Sequence, residues 1–258
     1  MDLRERHSDD VDARLVRHPW ERARARVVGD LVARAVRGDD APAGVVRVVD
    51  VGAGDAYVAA QLLARFAELA VTCVDAHYDD VDLARLQAPQ LRAVKTLDDA
   101  GPARFRVALL LDVLEHVADD RALLHDVLAH VDDDGWALIT VPAWPQLFSD
   151  HDRALGHHRR YTPRALLRLL DDAGLVVVES GTVFQSLAPV RALARLWPRA
   201  PRRGDHEGAE IAAWQGGAVV TAVVSAALRV DAAVARAASR AHLPTIGLSA
   251  YALCRRRR

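Results

Sequence analysis

The chain has 258 residues, an apolar fraction of 51% and a formal net charge of −1, at a mass of 28.1 kDa. That length buries one large core, which excludes a wholly disordered chain, and the near-neutral charge argues against a nucleic-acid partner held by bulk electrostatics. All but one of the 34 Lys and Arg residues are arginine, the exception being Lys95. With so much Ala, Val and Leu, this has the look of a GC-rich bacterial genome. Cys73 and Cys254 sit in apolar runs, where a free cysteine is a small buried hydrophobe, so a reducing cytoplasm is expected. The charged N-terminus has no apolar leader, and no stretch has the eighteen or so uninterrupted apolar residues of a spanning helix. A cytoplasmic protein without an integral membrane segment follows as the expectation.

Residues 12–37 are rich in Arg and Ala and place Val27, Val28, Leu31, Val32 and Val36 on one helical face. Residues 45–51 form a branched apolar strand that ends in Asp50, Gly52 and Gly54, and a helix runs over 56–66. A second strand at 71–74 ends in Asp75, with Ala76 beside it. A short helix over 79–91 and a brief strand at 93–97 come next, then a polar turn at 98–103. Residues 107–111 read as a central strand, 119–131 as a helix with acids at its start, and 137–141 as a strand stopped by Pro142. Repeated β-α units of this kind predict a mostly parallel sheet covered by helices on both faces.

Residues 143–161 have no apolar period, and so long an irregular stretch in a compact domain is commonly functional. Thr162 is a good N-cap with Pro163 at the first helical position, the helix runs to Gly174, and 175–179 is a strand. An apolar helix over 183–197, a basic linker at 198–207, an alanine-rich helical stretch at 210–240 and a last strand at 246–254 complete the chain. The expected fold is α/β and Rossmann-like: one domain over 1–258, with a seven-stranded, mostly parallel sheet. Residues 183–243 are expected to form a helical lid or dimerisation insertion before the last strand, so a homodimer is open.

A dinucleotide loop wants a third small residue where this chain has Tyr57; the small residue, Ala56, comes one position earlier. With Asp50 before the glycines, the pattern resembles the class I S-adenosylmethionine-dependent methyltransferases, whose loop reads acid-x-Gly-x-Gly-x-Gly. Asp50, Gly52, Gly54 and Ala56 match it. The resemblance implies that Asp50 lies near the ammonium of S-adenosylmethionine and that Asp75 accepts the ribose hydroxyls. Leu97 or Asp98 then lies near adenine.

The same family often reads D-V-L-E-H-V after its fourth strand, as residues 112–117 do here. The resemblance implies that Asp112 and Val113 face the cofactor, with Glu115 and His116 at the substrate mouth. Open α/β sheets also bind ligands beyond the carboxyl ends of their strands.

Residues 151–161 resemble a subset of these enzymes carrying H-D-x-x-x-G-H-x-R-R-Y after the fifth strand. No metal is expected, because the histidines lack the paired spacing of a zinc site and the adjacent arginines repel a cation. Histidine is the natural base near neutral pH, so His151 and His116, then His157, are candidate catalytic groups alongside Glu115. Arg153, Arg159, Arg160 and Tyr161 are candidate substrate contacts. An equal alternative is that Arg160 pairs with Glu115 or Asp112 and Tyr161 packs on the sheet. Trp144 and Phe148 are expected to wall the acceptor.

These residues lead to methyl transfer from S-adenosylmethionine to an oxygen or nitrogen of a small molecule. A non-methylating reaction such as cyclisation, a nicotinamide-dependent oxidoreductase and a structural partner subunit are the competing readings.

Overall fold

A computed structural model describes residues 18–37, 44–186, 217–241, 243 and 245–257. The expected sheet is present: seven strands in the order β3-β2-β1-β4-β5-β7-β6. They are β1 (Val46–Val51), β2 (Leu69–Val74), β3 (Leu91–Val94), β4 (Phe105–Leu111), β5 (Val131–Pro142), β6 (Leu175–Val183) and β7 (Ser249–Arg256). Only β7 runs against its neighbours, slotted between β5 and β6. Every residue of β4 is buried, as its unbroken apolar run requires for a strand covered on both faces. Each fully buried leucine there, such as Leu109 and Leu110, contributes about 2 kcal/mol through area removed from water.

The chain moves outward from β1 to β3 and returns to β4, on the other side of β1. The connections diverge at that point and leave a crevice beyond the carboxyl ends of β1 and β4. Among the described residues the α-helices are α1 (Pro19–Arg37), α2 (Tyr57–Arg65), α3 (Asp80–Arg85), α4 (Asp120–Ala129), α5 (Asp150–Ala154), α6 (Pro163–Asp172) and α7 (Ala218–Arg240). One core cluster joins Val28 and Leu31 of α1 with Leu62 of α2 and Leu228 of α7; a second joins Leu124 of α4 and Leu166 of α6 to the opposite sheet face. Glu179 of β6 binds Arg34 of α1 at 3.0 Å and Arg236 of α7 at 3.4 Å, which ties both helices to the same sheet edge.

Several elements depart from expectation; β6 runs on to Val183, where the helix over 183–197 was expected to start, and the last strand starts at Ser249. The expected helix over 79–91 stops at Arg85, because Ala88 and Leu91 form a tight bridge that turns the chain into β3. Strand β5 begins at Val131, well before 137, and arginines offset the charge of two of its three acids: Arg104 and Arg256 approach Asp133, and Arg106 lies 2.6 Å from Asp134. Residues 143–161 are not wholly irregular, since Ser149 starts α5 through a capping box with Asp152. Residues 187–216, including Trp197 and Trp214, lie outside the described residues. The described α7 packs beside α1 and β6.

Candidate functional site

The crevice holds a cleft of about 800 Å³. Its floor is the turn after β1. Gly52 and Gly54 line it with φ of +66° and +61°, and Ala56 continues the left-handed run at +59°. All three positions of the glycine pattern therefore need a conformation that glycine adopts freely and alanine adopts under strain. A Cβ on Gly52 would stand 2.8 Å from Val113 Cγ2, so this backbone lies against the turn after β4 with no room for a side chain.

Asp50, Asp75 and Asp112 reach this cleft from the ends of β1, β2 and β4. Asp75 binds the loop itself: Oδ2 accepts the Gly54 amide at 3.1 Å and Oδ1 accepts the His77 amide at 2.9 Å. Ala76 and Val113 also line the cleft, as does Leu97, whereas Asp98 stands exposed outside it. Burial pushes the Asp50 carboxyl up to about 7, against the opposing pull of Arg24. Asp112 goes the other way: burial would raise it, but the Arg24 guanidinium and a hydrogen bond from Thr140 hold it below the usual carboxylate range.

Arg24 is the residue that sequence reasoning missed. It projects from α1 into the cleft, lies 3.0 Å from Asp112 Oδ2 and donates to the Leu111 carbonyl at 2.6 Å. The available signal was an arginine on the apolar face that also carries Val27, Val28 and Leu31. Arg24 set among Asp50, Asp75 and Asp112 gives this part of the cleft a character suited to a zwitterion with an added positive charge.

The second half of the site is the D-V-L-E-H-V turn and the loop that clamps it. His116 lines the cleft. Glu115 is fully buried beneath, with neither carboxylate oxygen hydrogen-bonded among the described residues. Burial and the nearby charge of Asp112 raise its carboxyl well above the ordinary range. His157 stands edge-on to His116, with ring centroids 4.6 Å apart and planes at 87°.

Several candidate substrate contacts are engaged in holding this loop. Arg160 donates through Nε to Asp152 at 2.7 Å and through Nη1 to the Ala143 carbonyl at 3.2 Å, so its carboxylate is Asp152 and not Glu115 or Asp112. Arg159 donates to the carbonyls of Val117 and Ala118 and pairs with Asp120 at 3.1 Å. Tyr161 is buried and donates to Asp120 at 2.7 Å, with the Leu114 carbonyl 3.2 Å away. Arg153 does line the cleft, pairs with Asp150 and sits over the Phe148 ring at 5.4 Å.

Trp144 lies elsewhere: its indole donates to the Gly247 carbonyl at 2.8 Å, and it lines a separate cavity of about 740 Å³ with Leu166, Gly181 and Tyr251. Phe148 and His151 stand outside the cleft wall, half-buried. Asp152, the acid of the H-D-x-x-x-G-H-x-R-R-Y motif, is fully buried at the centre of the clamp.

Residues 20–180 match the family described as a methyltransferase domain. The chain is similar to the ubiquinone biosynthesis O-methyltransferase of Idiomarina loihiensis, at 29% identity over 163 residues, covering 55% of this chain and 66% of that protein. The chain thus spans just under two thirds of that relative's length. Among solved structures it is similar to the cyclase SpnF, with a TM-score of 0.56 and 20% identity over 93% of this chain and 84% of that one. It is also similar to the 1,6-didemethyltoxoflavin-N1-methyltransferase of Burkholderia thailandensis, solved with 1,6-didemethyltoxoflavin and S-adenosylhomocysteine. That likeness has a TM-score of 0.51 and 19% identity, over 93% of this chain and 81% of the other. These structural likenesses concern the fold. The family match, spanning more than half the chain and centred on a glycine-floored acidic cleft, shows that this chain belongs to the methyltransferase domain family, whose cofactor here is S-adenosylmethionine.

Proposed function

We propose that the protein transfers the methyl group of S-adenosylmethionine to an oxygen or nitrogen atom of a small molecule, in specialised or lipid- and glycan-related bacterial metabolism. The observation that carries this reading is the convergence of Asp50, Asp75, Asp112 and Arg24 on one cleft above the Gly52–Gly54 turn. When bound, the cofactor supplies an electrophilic methyl group on a sulfonium. Asp75 takes the ribose hydroxyls, Arg24 the amino-acid carboxylate and Asp50 the ammonium, while Leu97 lies beside the base. The net negative wall favours the sulfonium cation.

The chain's task is then to hold an acceptor in line with the methyl group in a dry site. Val117, Leu123 and Leu155, which line the cleft, are its apolar wall, and Arg153 is the charged group at its edge. His116 takes the acceptor's proton, an effect worth roughly a hundredfold to ten-thousandfold in rate. The similarity to an O-methyltransferase supports oxygen as the acceptor atom.

A panel of phenolic, carboxylic and amine acceptors, incubated with methyl-labelled S-adenosylmethionine, tests this reading. Label should move to one acceptor class, and His116→Ala should slow that transfer at least a hundredfold while leaving S-adenosylhomocysteine binding intact. Conversion of a substrate with no gain of a methyl group would contradict it.

A further inference from the structure

We propose that Asp152 and His157 form a fixed acid–imidazole pair that positions His116 as the proton acceptor of methyl transfer. The inference deepens the methyl-transfer reading and rests on it. His116 faces the cleft, whereas His157 stands behind it with a side chain only 8% exposed. The two rings meet edge to face at 4.6 Å. On its other side, His157 Nδ1 lies 3.1 Å from Asp152 Oδ1.

Asp152 is built to stay ionised. Burial alone would raise its carboxyl, but hydrogen bonds from Arg160 and Ser149 outweigh this and hold it at about 2. An ionised carboxylate only accepts, so Nδ1 of His157 must carry the proton and Nε2 the lone pair. One tautomer and one ring orientation result. The edge contact passes that constraint to His116, much as outer groups orient a primary ligand.

Loop stability does not account for this histidine. Asp152 needs only Ser149 to cap α5 and Arg160 to close the clamp. Burying an imidazole there carries a desolvation penalty, which lowers the affinity of His157 for a second proton despite Asp152. Glu115 adds a third polar group: one of its oxygens and one ring nitrogen from each histidine lie within 4.8 Å of one another. Among the described residues, the charged and titratable groups facing this cluster are Asp112 and Glu115 after β4, Arg24 of α1, and Asp152 and Arg160 of the clamp.

In the step itself, the acceptor's oxygen or nitrogen bonds the methyl carbon as the carbon–sulfur bond breaks, and that electron pair stays on sulfur. The acceptor's proton moves to a ring nitrogen of His116 and leaves through the open cleft. His157 gains and loses no proton; it is a positioning residue.

The test follows the imidazole signals of the full chain by NMR across neutral pH, saturated with S-adenosylhomocysteine. His157 should remain in the single Nδ1–H tautomer. His157→Asn keeps a donor for Asp152 while deleting the ring, so the clamp stays closed; Asp152→Asn removes the acceptor charge. Both should move the His116 titration midpoint by about half a pH unit or more, with S-adenosylhomocysteine affinity changed less than about threefold. His157→Asn keeps the proposal testable if Asp152→Asn unfolds. An unmoved His116 midpoint, a His157 ring exchanging tautomers, or both rings shifting together on addition of zinc ion would overturn it. Failure to bind S-adenosylhomocysteine would instead overturn the methyl-transfer reading, and the same titration can then be read on the ligand-free chain.

Discussion

Arg24 and Asp112 face each other at 3.0 Å, joining the first helix to the turn after the central strand at the mouth of the cleft. The same arginine donates to the Leu111 carbonyl, and the same aspartate accepts from Thr140 at 3.0 Å while held at a φ of +58°. The pair therefore holds Asp112 in an otherwise strained turn.

Arg24→Ala removes both the carboxylate-binding group and the counter-charge of Asp112. S-adenosylhomocysteine affinity should fall more than tenfold, about 1.4 kcal/mol. The ligand-free protein should lose about 2 kcal/mol in denaturant titration, less than a fully buried pair because both side chains keep some solvent. Arg24→Lys should recover the stability better than the affinity, since an ammonium lacks the two-pronged fork.

Gly52→Ala should abolish tight cofactor binding, because the added methyl enters Val113 and the backbone stays at a φ of +66°. A stability loss of about 1–3 kcal/mol is expected. Ala56→Gly is the matched control: at +59° it relieves strain of about 1 kcal/mol, offset by the greater entropy of glycine in the unfolded chain. Thermal melts with and without S-adenosylhomocysteine should place it close to the parent protein.

For Asp75→Ala, affinity should drop more than tenfold, about 1.4 kcal/mol. Two losses combine here: the ribose contact, and the bonds to the Gly54 and His77 amides that shape the loop. Asp75→Asn keeps one acceptor oxygen and should fall between the two. Unchanged calorimetric affinity in the alanine variant would remove Asp75 from the site.

Asp50 gives a pH dependence with a definite sign. Its folded value of about 7 lies above the ordinary 3.8, so the folded state binds the proton more tightly. The contribution to stability is full below about pH 4 and is lost as pH rises through about 7. Ligand-free protein should melt at a lower temperature at about pH 8 than at about pH 6, and Asp50→Asn should flatten that difference. An equal slope in both proteins would show that Asp50 is not the group responsible.

The sheet was readable because its strands carry their burial in their own residues: the apolar run of β4 and the glycine turn after β1 need no distant partner to be recognised. Strand β5 was expected only from residue 137, and the arginines that pair with Asp133 and Asp134 come from β4, from Arg104 just before it and from the last strand. The same limit hid Arg24. Its importance lies in a pairing across the fold with Asp112, and no local periodicity encodes such a pair. The loop after β5 was recognisable as a unit, yet the division of labour inside it was not. Arg159, Arg160 and Tyr161 turn inward to hold the chain, and Trp144 turns to another cavity.

The most direct measurement is a calorimetric titration of the purified chain with S-adenosylmethionine, S-adenosylhomocysteine and a nicotinamide dinucleotide. The first two should bind at one site, weakened by Asp75→Ala and by Arg24→Ala, and the third should not bind. Binding of the dinucleotide with neither sulfur compound bound would contradict it.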